Sequence, residues 1–130
     1  MDVLEKLVAE SEIRQLLGRY CQCADDGNAE EWAGLFVEEG AFITSSGRIE
    51  GRRALKEWQD QVLKSARMRH LMVNPMILVD SPDSARSRVD LQLLKADGDK
   101  WSVLVIARYN DRLVKTTEGW RFLERVATKA

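Results

Sequence analysis

Met68-Arg69-His70-Leu71-Met72-Val73-Asn74-Pro75-Met76-Ile77-Leu78-Val79 decides how the rest of the chain is read. Taken alternately, Met68, His70, Met72, Asn74, Met76 and Leu78 form one row, and Arg69, Leu71, Val73, Pro75, Ile77 and Val79 form the other. Both rows are largely apolar, so the segment predicts a strand covered on each face, by helices on one side and by a second copy of the chain on the other. An antiparallel sheet with helices on one face ordinarily leaves the other polar, and a monomer here would expose an apolar patch of the kind that marks an interface. The expectation is a homo-oligomer, a dimer or a trimer.

Working outward, three more strands are predicted, at about Ala85 to Lys95, Lys100 to Lys115 and Gly119 to Val126. Turn clusters at Asp80-Ser81-Pro82-Asp83, Asp97-Gly98-Asp99 and Thr117-Glu118-Gly119 separate them, and turns this short join antiparallel neighbours. Trp101 and Trp120, at strand starts, are read as packing residues.

Upstream, Ile13, Leu16, Leu17, Tyr20, Cys21 and Ala24 recur at three- and four-residue spacing, which predicts an amphipathic helix from Ser11 to Asp26. Gly27 supplies a left-handed stop, and Asn28 with Glu31 starts a short second helix whose apolar face is Trp32, Leu35 and Phe36. A strand through Gly40-Ala41-Phe42-Ile43-Thr44, a turn at Ser45-Ser46-Gly47 and a third helix from about Arg52 to Lys64 follow, the last with Leu55, Trp58 and Val62 on one side. Helices first and an antiparallel meander afterwards make an α+β fold, not an alternating βαβ one.

The chain's 130 residues suit one domain. Twenty Lys and Arg against twenty-one Asp and Glu leave a formal charge of −1, so a nucleic-acid partner is not expected. No apolar run approaches the roughly 18 residues of a spanning helix, and Met1-Asp2-Val3-Leu4-Glu5-Lys6 lacks a secretory signal's features. No membrane partner is expected, and a cytoplasmic location is. Cys21 and Cys23 diverge by about 160° around a helix axis and cannot bridge. With one histidine in the chain they also fall short of a zinc set, so neither a metal nor another cofactor is expected. Gly47-Arg48-Ile49-Glu50-Gly51-Arg52 lacks the Gly-Lys-Ser/Thr ending of a phosphate loop.

Candidate chemistry lies where polar groups occupy positions patterned for core. The helical row Leu17, Cys21, Asp25 brings a carboxylate to the end of the apolar stripe, while Asp26 points about 100° away. A buried carboxylate needs a partner, and His70 is the only histidine available. If Asp25 accepts a hydrogen bond from one ring nitrogen, the other is free to act as a general base near neutral pH. The same spacing also suits a satisfied strand histidine and a helix-end aspartate without chemistry. Tyr20 shares the stripe and is either a donor or core. Arg125, Arg108 and Tyr109 are candidates to hold a leaving anion or a carbonyl oxygen, or are ordinary strand residues.

In order and spacing, Tyr20-x-x-x-x-Asp25, Trp32-x-x-Leu35-Phe36, Arg69-His70-x-x-x-Asn74 and Gly119-Trp120-Arg121-Phe122-x-x-Arg125 resemble the SnoaL-like branch of the nuclear transport factor 2-like superfamily. The resemblance runs from about Ser11 to Val126. It implies a cone-shaped, strongly curved antiparallel sheet wrapped around three N-terminal helices, with a deep apolar cavity. Scytalone dehydratase, bile acid 7α-dehydratase and hexachlorocyclohexane dehydrochlorinase belong to this branch and use an Asp-His pair. Asp25 and His70 match it, Tyr20 matches a tyrosine of the bile acid enzyme, and Arg125 matches an arginine of the dehydrochlorinase. Asn74, Tyr109, Arg108, Trp32 and Met72 join Arg125 as the expected substrate-contacting set. Thr44 replaces a catalytic tyrosine of the bile acid enzyme, and Ala107 and Tyr109 replace substrate-contacting residues of scytalone dehydratase, so neither substrate carries over.

The implied function is that of a cofactor-free lyase or isomerase acting on a hydrophobic, cyclic small molecule. The alternatives are a non-catalytic small subunit of a ring-hydroxylating dioxygenase-like complex, which Arg108 through Arg125 also resembles, and a small-molecule-binding module.

Overall fold

A computed structural model describes residues 1–130. Three helices, α1 (Val3–Asp25), α2 (Ala29–Ala33) and α3 (Arg52–Ser65), accompany six strands: β1 (Phe36–Thr44), β2 (Gly47–Glu50), β3 (Met68–Ser81), β4 (Ser84–Asp97), β5 (Lys100–Thr116) and β6 (Gly119–Lys129). The strand order is β2-β1-β6-β5-β4-β3.

The meander from β3 to β6 is antiparallel throughout, as the short turns require, and β1 joins it by pairing parallel to β6. That pairing corrects the expected cone. The sheet is mixed, and because β2 and β3 are its outer strands with no ladder between them, it is open and does not close around the helices. Parallel pairing was hidden because it joins residues far apart in sequence. Gly40 permits it: a Cβ there would lie 2.8 Å from Phe36 Cβ and 3.1 Å from the Phe122 carbonyl oxygen, at the bulge where β1 shifts register against β6.

Helix α1 begins eight residues before the expected Ser11, at Val3, with Asp2 and Glu5 exchanging both hydrogen bonds of a capping box. Its early apolar residues Val3, Leu4, Leu7 and Val8 are exposed, which is why no core periodicity announced them. Gly27, at φ 79°, turns the chain out of the helix. Asn28 then caps α2 by accepting from the Glu31 backbone N–H at 3.1 Å. Helix α2 stops at Ala33, so Phe36 opens β1 instead of closing the helix.

Strand β3 departs from simple alternation. Asn74 adopts a left-handed conformation, φ 56°, and the register against β4 shifts between Val73 and Met76. The single row read from sequence is thereby split. His70 and Met72 face the helices with Ile77 and Val79, while Met76 and Leu78 turn to the outer face, where both are exposed.

The core fills the space between helices and sheet with Tyr20, Trp32, Phe36, Phe42, Tyr109 and Phe122, among others. Rings meet at 5.3 Å for Trp32–Phe36 and Phe36–Phe122 and at 5.5 Å for Tyr20–Trp32, separations typical of tilted aromatic contacts. Each such side chain contributes about 1.5–3 kcal/mol on burial. The centre, expected to be a deep apolar cavity, is occupied by these rings. Trp120 packs into the core as expected, whereas Trp101 is exposed and carries the Arg67 guanidinium over its ring at 5.3 Å.

Candidate active site

Asp25 is the last residue of α1 and His70 the third of β3, and the fold joins them directly. Asp25 Oδ1 lies 2.7 Å from His70 Nδ1. The same carboxylate accepts the His70 backbone N–H, at 3.0 Å to Oδ1 and 3.1 Å to Oδ2. A carboxylate at a helix C-terminus opposes the helix dipole, and these hydrogen bonds offset that cost. In the neutral imidazole, a carboxylate accepting at Nδ1 places the ring proton there and leaves Nε2 a lone pair. Side-chain exposure is 14% for His70 and 6% for Asp25.

Both residues line a pocket of about 300 Å³ between the end of α1, the second half of α3 and the start of β3. Ala24, Val62, Leu63 and Met68 give it apolar walls. Nothing in the chain hydrogen-bonds to His70 Nε2, so an imidazole of fixed tautomer opens onto a partly apolar space.

Behind the histidine stands a second polar group. Arg125 is sealed in the core and paired in two-pronged fashion with Asp111, Nε to Oδ1 at 2.7 Å and Nη2 to Oδ2 at 3.0 Å. Ser87 donates to Asp111 at 2.7 Å. The guanidinium lies 3.9 Å from the centroid of Tyr109, 4.3 Å from that of Tyr20 and 4.4 Å from that of Phe122. Burial alone would lower the Arg125 pKa, but Asp111 reverses this and holds it above the ordinary value. Burial raises Tyr20, with Arg125 opposing, and raises Tyr109 further, helped by Tyr20. Burial also pushes the Cys21 thiol up to about 11.

The expected site residues therefore separate into three groups. Asp25 and His70 meet at the pocket. Tyr20 packs against the imidazole, ring centroids 6.2 Å apart and edge-on, but it, Tyr109, Arg125 and Trp32 are buried among core rings and none lines the pocket. Met72, half-buried, places its sulfur 4.0 Å from Arg125 Nη2. Asn74 and Arg108 lie on the outer face, both bonded to Asp90: Asn74 Nδ2 donates at 3.4 Å and Arg108 Nε at 2.7 Å. The structure does not bring them to the dyad, because the bulge at Asn74 turns that part of β3 away.

Gln59 on α3 escaped the sequence reading. Only 3% exposed, it lines the same pocket, and no group of the chain hydrogen-bonds to its amide. Its amide is thus left open to the pocket and free to bond to what enters it. Its signal was a polar residue in the row Leu55-x-x-x-Gln59 of the helix's apolar side.

The SnoaL-like domain model matches residues 5–126. The uncharacterized protein Rv2910c of Mycobacterium tuberculosis is 35% identical over 124 residues, covering 91% of this chain and 83% of its own. The structure of Rv3472, also from M. tuberculosis, superposes with a TM-score of 0.95 at 32% identity, covering 100% of this chain and 76% of that one. A candidate scytalone dehydratase from Novosphingobium aromaticivorans shares the fold, at a TM-score of 0.89 and 22% identity over 99% of this chain and 89% of that one. A family match across almost the whole length, joined by two relatives above 30% identity, makes this chain a member of the SnoaL-like domain family of the nuclear transport factor 2-like superfamily.

Proposed function

We propose that the protein is a lyase or isomerase in which His70 moves a proton on a small, largely hydrophobic molecule. The supporting observation is the 2.7 Å contact between His70 Nδ1 and Asp25, with Nε2 left open to the pocket. Nε2 takes a proton from a substrate carbon, and the C–H electron pair passes into an adjacent carbonyl or double bond. Asp25 keeps the imidazole in the required tautomer and stabilises the imidazolium that forms. The imidazolium then returns its proton, to another carbon in an isomerisation or to a departing hydroxide in a dehydration that releases water. Either sequence restores His70 and balances without a cofactor. Tyr20 and Arg125 act from behind, by positioning the ring and by fixing the strand that carries Tyr109.

Exchange of α-protons of 2-tetralone in deuterated water, followed by NMR, tests the reading. Wild type should accelerate exchange, and His70→Ala should lower that rate by about 10²–10⁴-fold with the fold retained by circular dichroism. Equal exchange in His70→Ala and wild type would sink it. A binding module without turnover is the second reading. It is favoured because Asp25 also accepts the His70 backbone N–H, a clip between α1 and β3 that needs no chemistry to explain it.

For assembly we propose a homo-oligomer formed through the outer sheet face, where Leu71, Val73, Val103 and Ile106 are exposed. Leu71 and Ile106 stand in one cross-strand row through Gln92. Sedimentation should give a multimer for wild type and a monomer for Ile106→Arg, and a monomeric wild type would remove the proposal.

A further inference from the structure

We infer that Gln59 is a substrate-contacting residue which selects molecules carrying a carbonyl or enol oxygen. Helix α3 buries only two residues, Leu55 and Gln59, while the apolar Val62 and Leu63 one turn on remain half-exposed. That order is the reverse of what burial by hydrophobicity gives, since glutamine is rarely the residue a helix hides. The side chain has not been hidden to meet a partner, because no backbone or side-chain group of the chain bonds to it. Nor are its polar atoms sealed in the packing, as are Nε1 of Trp32 and Nε1 of Trp120. It lines from α3 the pocket that Asp25 lines from α1 and His70 from β3.

An amide in that position offers two N–H donors and one carbonyl acceptor. A substrate oxygen accepting from Gln59 Nε2 would be held across the pocket from His70. Where that oxygen is a carbonyl, charge builds on it as the neighbouring C–H is deprotonated, and a positioned donor stabilises the charge. The substrate class is therefore a compact carbonyl compound with an acidic α-hydrogen. A volume of about 300 Å³ lies at the low end for ligand pockets and admits only small molecules.

The inference rests on the proposed proton transfer for its account of the reaction, but its test reads binding alone. Naphthalene and 2-naphthol differ only in the oxygen, and 2-naphthol imitates the enol of 2-tetralone. Calorimetry on wild type should find 2-naphthol bound about tenfold tighter than naphthalene, the worth of one buried hydrogen bond. Gln59→Leu should abolish that preference. Gln59→Met, closer in length and flexibility, repeats the measurement if the leucine variant does not fold. His70→Ala should keep most of the preference. A preference that survives both Gln59 variants overturns the inference, as does wild type that binds the two ligands equally or binds neither. If the preference follows Gln59 while 2-tetralone exchange ignores His70, the catalytic reading fails and the role of Gln59 stands.

Discussion

Two carboxylates of this protein each hold a nitrogen base at 2.7 Å, Asp25 with His70 and Asp111 with Arg125, yet they do different work. Asp111 and Arg125 are both fully buried, with Ser87 on the remaining side of the carboxylate and aromatic rings over the guanidinium. That pair is sealed from water, with only the Arg125 Nη1 left without an acceptor, and it lets a charged residue exist inside the core. Asp25 and His70 stand at the edge of the same core, and one ring nitrogen faces a pocket. The difference lies in access: what the buried pair leaves unpaired meets only packed side chains, whereas what His70 leaves unpaired meets a pocket that a small molecule can enter.

The largest expected effect comes from breaking the buried pair. Asp111→Ala leaves the Arg125 charge buried and alone, which should cost about 3–5 kcal/mol in urea unfolding. Replacing both partners, Asp111→Leu with Arg125→Met, should restore much of that loss. If the single variant unfolds no more readily than wild type, the pair is not what secures the core.

Asp25→Asn should behave in the opposite way. It should cost about 1 kcal/mol in stability, since an amide oxygen still accepts the backbone N–H, while proton exchange on 2-tetralone slows at least tenfold. Nitrogen-15 shifts of the single histidine give a direct reading: the proton should reside on Nδ1 in wild type and distribute over both nitrogens in the variant. An unchanged tautomer would remove Asp25 as the orienting group.

A smaller effect distinguishes Cys21, which lies on the same helix one turn before Asp25. Its thiol is raised from 9.0 to about 11 in the folded protein, chiefly by burial. The folded state therefore keeps its proton where the unfolded chain loses it. The stability this gives is fully present below pH 9 and should decline between pH 9 and about 11. Cys21→Ala should remove that part of the slope, as measured by urea midpoints across the range.

The same contrast explains what could be read from sequence. Asp25 was legible because a carboxylate interrupted an apolar row, and His70 because the chain has no other histidine to pair with it. Arg125 was legible as a residue but not as a place: an arginine on a strand usually faces water, and only the long-range arrival of Asp111, Tyr20 and Tyr109 seals this one. Asn74 was misplaced because alternation counts residues, and one left-handed residue adds a step that the count does not show. The parallel β1–β6 pair was invisible for a related reason, since no local signal marks a partner so distant in the chain. Gln59 was passed over because one amide in an apolar row looks like a position tolerant of polarity.

The bulge in β3 has a bearing on solubility as well. β3 is an outer strand of the sheet, fourteen residues long and rich in methionine, leucine, isoleucine and valine, which is the profile of a segment that recruits further chains. Asn74 kinks its free edge and Pro75 supplies no N–H to a newcomer, so an incoming strand finds its ladder broken midway. A two-residue interruption of this kind works against edge-to-edge pairing with further chains.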